Sequence, residues 1–248
     1  MKILIFGHYE IASNYAISQV VEALADHQIQ IVLSGKGDAF ETGGDDFSKL
    51  AHYEQELSNA LNQEQDELGL ACKGFDELAK LTNNEIGQLA NPNSKTGLAQ
   101  LKSYQADLFI SIRYRKIFKP QAIAIPPKGV INLHSGLLPK YRGAMATFWA
   151  MLNGDEFIGS TLHYITDKGI DTGPIIATAP IKCDYDQSYL ENVLRLYPSG
   201  CQQIVQAVQQ IEKKEPPSLF TQPLSGNYYS FPDMHNLNEF FDMGFRLM

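Results

Sequence analysis

Ile3-Leu4-Ile5-Phe6, an unbroken apolar run closed by Gly7, is the most restrictive feature of this chain. A strand with one wet face alternates apolar and polar residues. A short run without that alternation fits a strand covered on both sides, as crossover helices cover a parallel sheet. The following segments agree: Tyr15, Ala16, Val20, Val21 and Leu24 share one helical face, and Ile29–Leu33 supplies a second apolar strand. Further buried strands are read at 107–112 and at Val130–Leu133. The expected fold class is α/β, a Rossmann-like, mostly parallel sheet with helices on both faces. Gly7-His8-Tyr9-Glu10 lacks the G-x-G-x-x-G turn that lets backbone approach a pyrophosphate, which disfavours a nicotinamide dinucleotide.

With 248 residues, 44% of them apolar, the chain can bury one sizeable core. The expected organisation is a catalytic domain over 1–213 and a C-terminal appendage over 214–248, which is rich in Tyr, Phe, Asn and Pro and reads as irregular or short-stranded. Between them, Leu190, Leu194, Tyr197, Cys201, Ile204, Val208 and Ile211 form a helical stripe that Pro198 should kink or divide. Net charge is −8, which argues against a sequence-independent grip on nucleic acid, since that grip needs clustered Lys and Arg. The charge is uneven. Residues 36–100 hold twelve acids against five lysines, whereas residues 101–150 hold eight bases against Asp107 alone. The basic stretch reads either as a solvated surface or as a cleft that concentrates small anions.

Cys72, Cys183 and Cys201 are odd in number and widely spaced, so reduced structural thiols are expected, with neither a disulfide framework nor a zinc ribbon. The N-terminal apolar run is too short for a signal segment, and no apolar stretch approaches 18 residues. A cytoplasmic protein that does not engage a membrane is expected.

The chemistry-bearing residues lie between Val130 and Ile176. Asn132 and His134, two apart on one strand, point to the same face at its C-terminal end, where open parallel sheets place ligands. An amide donor beside an imidazole suits acyl transfer, with Asn132 holding a developing oxyanion and His134 handling a proton. Asp171, in a Gly-flanked loop, could orient the imidazole or favour its charged form. A satisfied structural histidine is the bland alternative for His134. His163 alternates away from Leu162 and Tyr164 on a strand and is read as structural, with support of the site from behind as the other option. A Ser-His-Asp arrangement is weak, since no G-x-S-x-G elbow occurs.

Asn132-Leu133-His134, the loop Leu137-Leu138-Pro139-Lys140-Tyr141-Arg142-Gly143, and Gly169-Ile170-Asp171-Thr172-Gly173, in this order, resemble the signature of the formyltetrahydrofolate-dependent formyltransferase family. The resemblance is close over residues 106–178 and only architectural elsewhere. It implies the formyltransferase fold, 10-formyltetrahydrofolate as co-substrate without a metal, and Asn132, His134 and Asp171 as the catalytic trio. In the implied mechanism Asn132 and protonated His134 stabilise an oxyanion while Asp171 helps shuttle the amine proton. Ser111, Ile112, Arg113, Tyr114, Arg115 and Ile117 fall where relatives hold the pterin, with Leu138 and Gly169 beside them. His8, Tyr9, Lys140, Tyr141 and Arg142 are the candidates for acceptor contact. One departure stands out: many members have Pro-Ser after the histidine, where this chain has Ser135-Gly136.

Within that family, the length, the tyrosine-rich tail and the basic segment look most like enzymes that formylate nucleotide-linked amino deoxysugars for surface glycans. The expected partners are thus a nucleotide-linked amino sugar and the folate donor. Methionyl-tRNA formyltransferases carry a further C-terminal domain and a basic face, and glycinamide ribonucleotide transformylases open with a Gly-Ser-rich loop. A formyltetrahydrofolate hydrolase and a non-catalytic binding module are the alternatives of other classes. Tyr228, Tyr229 and Phe231 could stack on a base, with a homodimer interface or local core as the blander use.

Overall fold

A computed structural model describes residues 1–35, 44–223 and 226–248. The first apolar run is strand β1 (Lys2–Gly7), followed by α1 (Ile11–Ala23) and β2 (Gln28–Leu33). Ile3 and Ile5 enter one core and Leu4 and Phe6 the other, which is why the run carries no polar residue. After α2 (Gly44–Asn62), α3 (Phe75–Thr82), the short β3 (Gly87–Gln88) and α4 (Lys95–Ser103) come β4 (Leu108–Ile112), α5 (Pro120–Ile123) and β5 (Val130–His134). These strands pair in parallel in the order β3-β2-β1-β4-β5. The direction of build-up reverses between β1 and β4, so a crevice opens at their carboxyl ends.

Beyond β6 (Tyr141–Gly143) and α6 (Ala146–Leu152), strands β7 (Phe157–Ile165) and β8 (Ile175–Lys182) complete the seven-stranded sheet in antiparallel sense. The expected long helix is divided into α7 (Tyr189–Leu194) and α8 (Tyr197–Glu212). The break precedes Pro198, which occupies the first turn of α8, where a missing N–H costs nothing. Helices α1, α2, α3, α7 and α8 supply the core on one face of the sheet, and α4 and α5 that on the other.

Two regions differ from expectation. The acidic stretch, in its described part, holds α2, whose Phe47, Leu50, Leu57 and Leu61 form a buried stripe while most of its acids face outward. Residues 36–43 of that stretch lie outside the described residues. The tail is not merely irregular: β9 (Asn227–Tyr229) pairs with β6, and α9 (Met234–Asp242) is closed by an Asp233–Asn236 capping box. Phe240 of α9 is fully buried and stacks on Phe148 at 4.4 Å, so the tail packs onto the main core. No helix among the described residues is long and apolar enough to cross a membrane.

Candidate active site

β5 and β7 run side by side with Asn132 opposite His163, and cross-strand partners share a face of the sheet. The Nδ2 of Asn132 therefore lies 3.1 Å from His163 Nε2. His163 Nδ1 faces the Tyr164 carbonyl at 2.9 Å, and a carbonyl only accepts, so Nδ1 carries a proton, while Nε2 lies against both the Asn132 amide and Asp171. The Asn132 amide is held by this contact in the cavity wall. The same reasoning fixes His134: its Nε2 donates to the Tyr141 carbonyl at 2.6 Å, which turns Nδ1 toward Asp171 Oδ2 at 3.5 Å.

Asp171 joins the two histidines. Its Oδ1 is 3.4 Å from His163 Nε2, and its Oδ2 accepts the Gly143 amide at 2.9 Å. Burial alone would raise this carboxyl, but His134, His163 and the Gly143 N–H together outweigh it and hold the pKa down to about 2. The tail contributes here through the backbone. Gly143 sits at φ 100°, and a Cβ there would meet the Tyr229 carbonyl at 2.1 Å, so β9 can dock on β6 only against glycine. Gly136 is equally constrained: a Cβ would lie 2.4 Å from Ala146 Cβ and 2.7 Å from His134 Nε2. No hydroxyl can stand at that position without displacing the imidazole. The neighbouring Ser135 instead pairs its hydroxyl with that of Tyr197 at 3.1 Å.

Asn132, His134, His163 and Asp171 open onto a cavity of about 740 Å³, a size usual for small-ligand sites. Of the residues expected at the pterin, Ser111, Arg113, Tyr114, Arg115, Ile117 and Gly169 line it. Ile112 is fully buried in β4 and Leu138 donates its N–H to Thr161, so neither reaches the wall. The expected acceptor contacts are not brought there either. His8 is 1% exposed with Nδ1 on Ser34, and Tyr9 is tied to Asn59 and stacked on Phe75. Lys140 and Tyr141 both reach Asp155, and Arg142 donates to the Gly226 carbonyl.

The basic stretch does not make an open anion cleft, because its central arginines are neutralised within the protein. Glu10, which follows β1, receives Arg113 and Arg115, which follow β4, at the reversal point of the sheet. Although burial opposes ionisation, these guanidinium groups hold Glu10 down to about 2. Glu54 of α2, also in the cavity wall, faces Arg113 at 3.5 Å. Sequence reading favoured a structural His163, with support of the site as the other option, and missed Glu10 and Glu54 as parts of this constellation. For Glu54 a signal existed, since an acid spaced four residues from Leu50 and seven from Leu61 interrupts an apolar stripe. Among the described residues, no three His, Cys, Asp or Glu side chains gather as a metal site.

Comparison with known proteins decides the lineage: the family described as formyl transferase matches residues 77–208, which contain the whole amide–imidazole–carboxylate group. The chain belongs to the formyl transferase family. A methionyl-tRNA formyltransferase from Synechococcus sp. (strain JA-3-3Ab) is 36% identical over 118 residues, covering 48% of this chain and 36% of that protein. The chain spans less than half the length of the curated relatives it matches. Among solved structures, a 4-N formyltransferase from Francisella tularensis superposes with a TM-score of 0.62 at 17% identity, over 95% of this chain and 77% of that one. The N-formyltransferase from Helicobacter canadensis in complex with folinic acid and dTDP-3-aminofucose gives 0.59 at 18% identity, over 93% and 71%. These likenesses match the formyl transferase fold, a seven-stranded, mostly parallel sheet. Leu50, Glu54, Tyr228 and Phe231 line the cavity from outside the segment that the family shares.

Proposed function

We propose that this chain transfers a formyl group from 10-formyltetrahydrofolate to the amino group of a nucleotide-linked amino deoxysugar, for surface glycan biosynthesis. The observation that carries the reading is the convergence of Asn132, His134 and Asp171 on one cavity that the rings of Tyr228 and Phe231 also line. Tyr228 is 57% exposed, as a ring that stacks on an incoming base would be. The structural likeness to an N-formyltransferase held with dTDP-3-aminofucose supports the choice of acceptor.

The donor site fits in size and chemistry. Tyr114 and Phe118 give the wall a flat apolar side, and Arg113 and Arg115, both at positive φ, turn the chain after β4 along the cavity. When bound, 10-formyltetrahydrofolate supplies the formyl carbon that the acceptor amine attacks. Asn132 offers an amide N–H to the carbonyl oxygen as negative charge develops there. His134 takes the amine proton at Nδ1, the nitrogen not committed to the Tyr141 carbonyl, and returns it to the folate nitrogen as the bond between that nitrogen and the formyl carbon breaks and tetrahydrofolate departs. Asp171, held as a carboxylate by its neighbours and facing Nδ1 at 3.5 Å, stabilises the imidazolium. In this reading the protein is cytoplasmic, uses no metal, and engages two small molecules rather than nucleic acid or membrane.

The test offers UDP-, dTDP- and GDP-linked amino sugars beside glycinamide ribonucleotide and methionyl-tRNA, each with the folate donor. Formylation of at least one nucleotide sugar is the expected result, and transfer to methionyl-tRNA alone overturns it. That second reading has its own support in the 36% identity to a methionyl-tRNA formyltransferase.

A further inference from the structure

Glu54 occupies the cavity wall in an incomplete state. Its side chain is 1% exposed, and neither carboxyl oxygen has a hydrogen-bond partner among the described residues. Arg113 Nη2 stands 3.5 Å away, at ion-pair distance but without forming a hydrogen bond, and the Nε of the same guanidinium is given to Glu10. Burial and the nearby Glu10 carboxylate push the pKa of Glu54 up to about 7, against the pull of Arg113 and Arg115. A buried acceptor without a donor is costly to the folded state, and it is retained to advantage where a ligand brings the donor.

Two observations identify the ligand. First, Glu54 lies outside the segment shared with the family, and proteins that share a chemistry but differ in acceptor must differ in the wall the acceptor touches. Second, the cavity crosses the carboxyl edge of the sheet. Tyr114 and Phe118, which line the same cavity as the trio, belong to the core on one face, whereas Leu50, one helical turn from Glu54, belongs to the core on the other.

We propose that Glu54 is an acceptor-specificity residue, whose carboxylate accepts a hydrogen bond from a hydroxyl or N–H of the acceptor other than the amine being formylated. The proposal rests on the nucleotide-sugar reading for the class of acceptor, but not for the contact itself. A site built around such a contact rejects analogues that lack the donor, because the carboxyl is then left unpaired.

The experiment compares Glu54→Gln and Glu54→Leu with the wild type in steady-state kinetics and thermal unfolding. Expected is a rise of about 10- to 100-fold in KM for the amino sugar, the range for losing a hydrogen bond to a charged group. Little change in kcat, an unchanged folate KM and a melting temperature no lower than wild type should accompany it. Competition by UDP, dTDP or GDP alone locates the donor: weaker inhibition of the variants places it on the base, and equal inhibition places it on the sugar. An unchanged acceptor KM, or a raised folate KM alone, overturns the proposal. So does a lowered melting temperature with acceptor KM intact, which marks a structural role. If methionyl-tRNA or glycinamide ribonucleotide proves to be the acceptor, the sugar reading fails by itself and the same KM comparison on that acceptor decides Glu54. If nothing is formylated, calorimetric titration with the nucleotide-linked amino sugars decides it, and equal affinity in both proteins, or no binding, counts against the proposal.

Discussion

Asp171 and Glu54 are two buried carboxyl groups in the wall of one cavity, and their surroundings drive them in opposite directions. Asp171 has a backbone N–H and two imidazoles around it and is held down to about 2, whereas Glu54 has an acidic neighbour, no hydrogen bond, and a pKa pushed up to about 7. Burial opposes ionisation in both. The difference lies in the donors supplied, so a carboxyl's exposure alone says little about its role. The Asp171 corner is complete before any ligand arrives, while the Glu54 corner has an acceptor still to be matched. In the proposed reaction the first does chemistry and the second chooses what is formylated.

The comparison breaks most sharply at Asp171→Asn. The amide keeps the shape but removes the charge facing His134 and His163. Turnover should fall on the order of 10³- to 10⁴-fold, the scale for losing a carboxylate that orients a catalytic imidazole. Single-turnover formyl transfer measures it, and near-normal rates would falsify the mechanism. Asn132→Ala comes next, with a loss on the order of 10²- to 10³-fold, because one oxyanion donor is removed while the histidine pair remains. Neither substitution should alter acceptor discrimination, as Glu54→Leu is expected to.

The sequence made the sheet legible wherever burial on both faces erased polar residues, as at Ile3–Phe6 and Val130–Leu133, and it placed Asn132 and His134 on one face by simple alternation. Asp171 was legible from its Gly-flanked loop as a candidate partner of the imidazole, and the resemblance made it one of the trio, since no spacing rule joins positions 134 and 171. What escaped shares one cause: it depends on which strands become neighbours. His163 enters the site because β7 folds back beside β5, and Glu10 meets Arg113 because β1 and β4 are adjacent, a relation spanning 103 residues. The clustered arginines looked like an anion site for the same reason, as their neutralising partner lies far off in the chain. Helix α9 was hidden in a segment whose aromatic and proline content resembles a coil.

A smaller effect tests how tightly the Asp171 corner is packed. Gly136→Ala forces a methyl against Ala146 and the His134 ring, so about 1–3 kcal/mol of stability should be lost, as for overpacking elsewhere in cores. Activity should fall with it, because the imidazole must tilt away from the Tyr141 carbonyl. Denaturant unfolding beside kcat checks both, and a variant that keeps full stability and rate would show that this corner yields as easily as the other.

The smallest expected effect is a pH dependence of stability with opposite sign at the two carboxyls. Asp171 has a folded pKa below its ordinary 3.8, so its contribution is present above about pH 4 and is lost as pH falls toward 2. Glu54 has a folded pKa above its ordinary 4.5. Below that value the group is protonated in both states and costs nothing. Between 4.5 and about 7 the folded state keeps a proton that the unfolded state releases, and above 7 the full penalty of a buried, unmatched carboxylate applies. Glu54→Gln removes that penalty, so its melting temperature should gain on the wild type by a few degrees at most between pH 5 and pH 8. Calorimetric scans of both proteins across that range measure the difference. Should the gain shrink as pH rises, Glu54 must already be well paired when ionised, and the contrast between the two corners disappears. If instead the gain is present and saturating acceptor abolishes it, the missing donor is the one the acceptor brings.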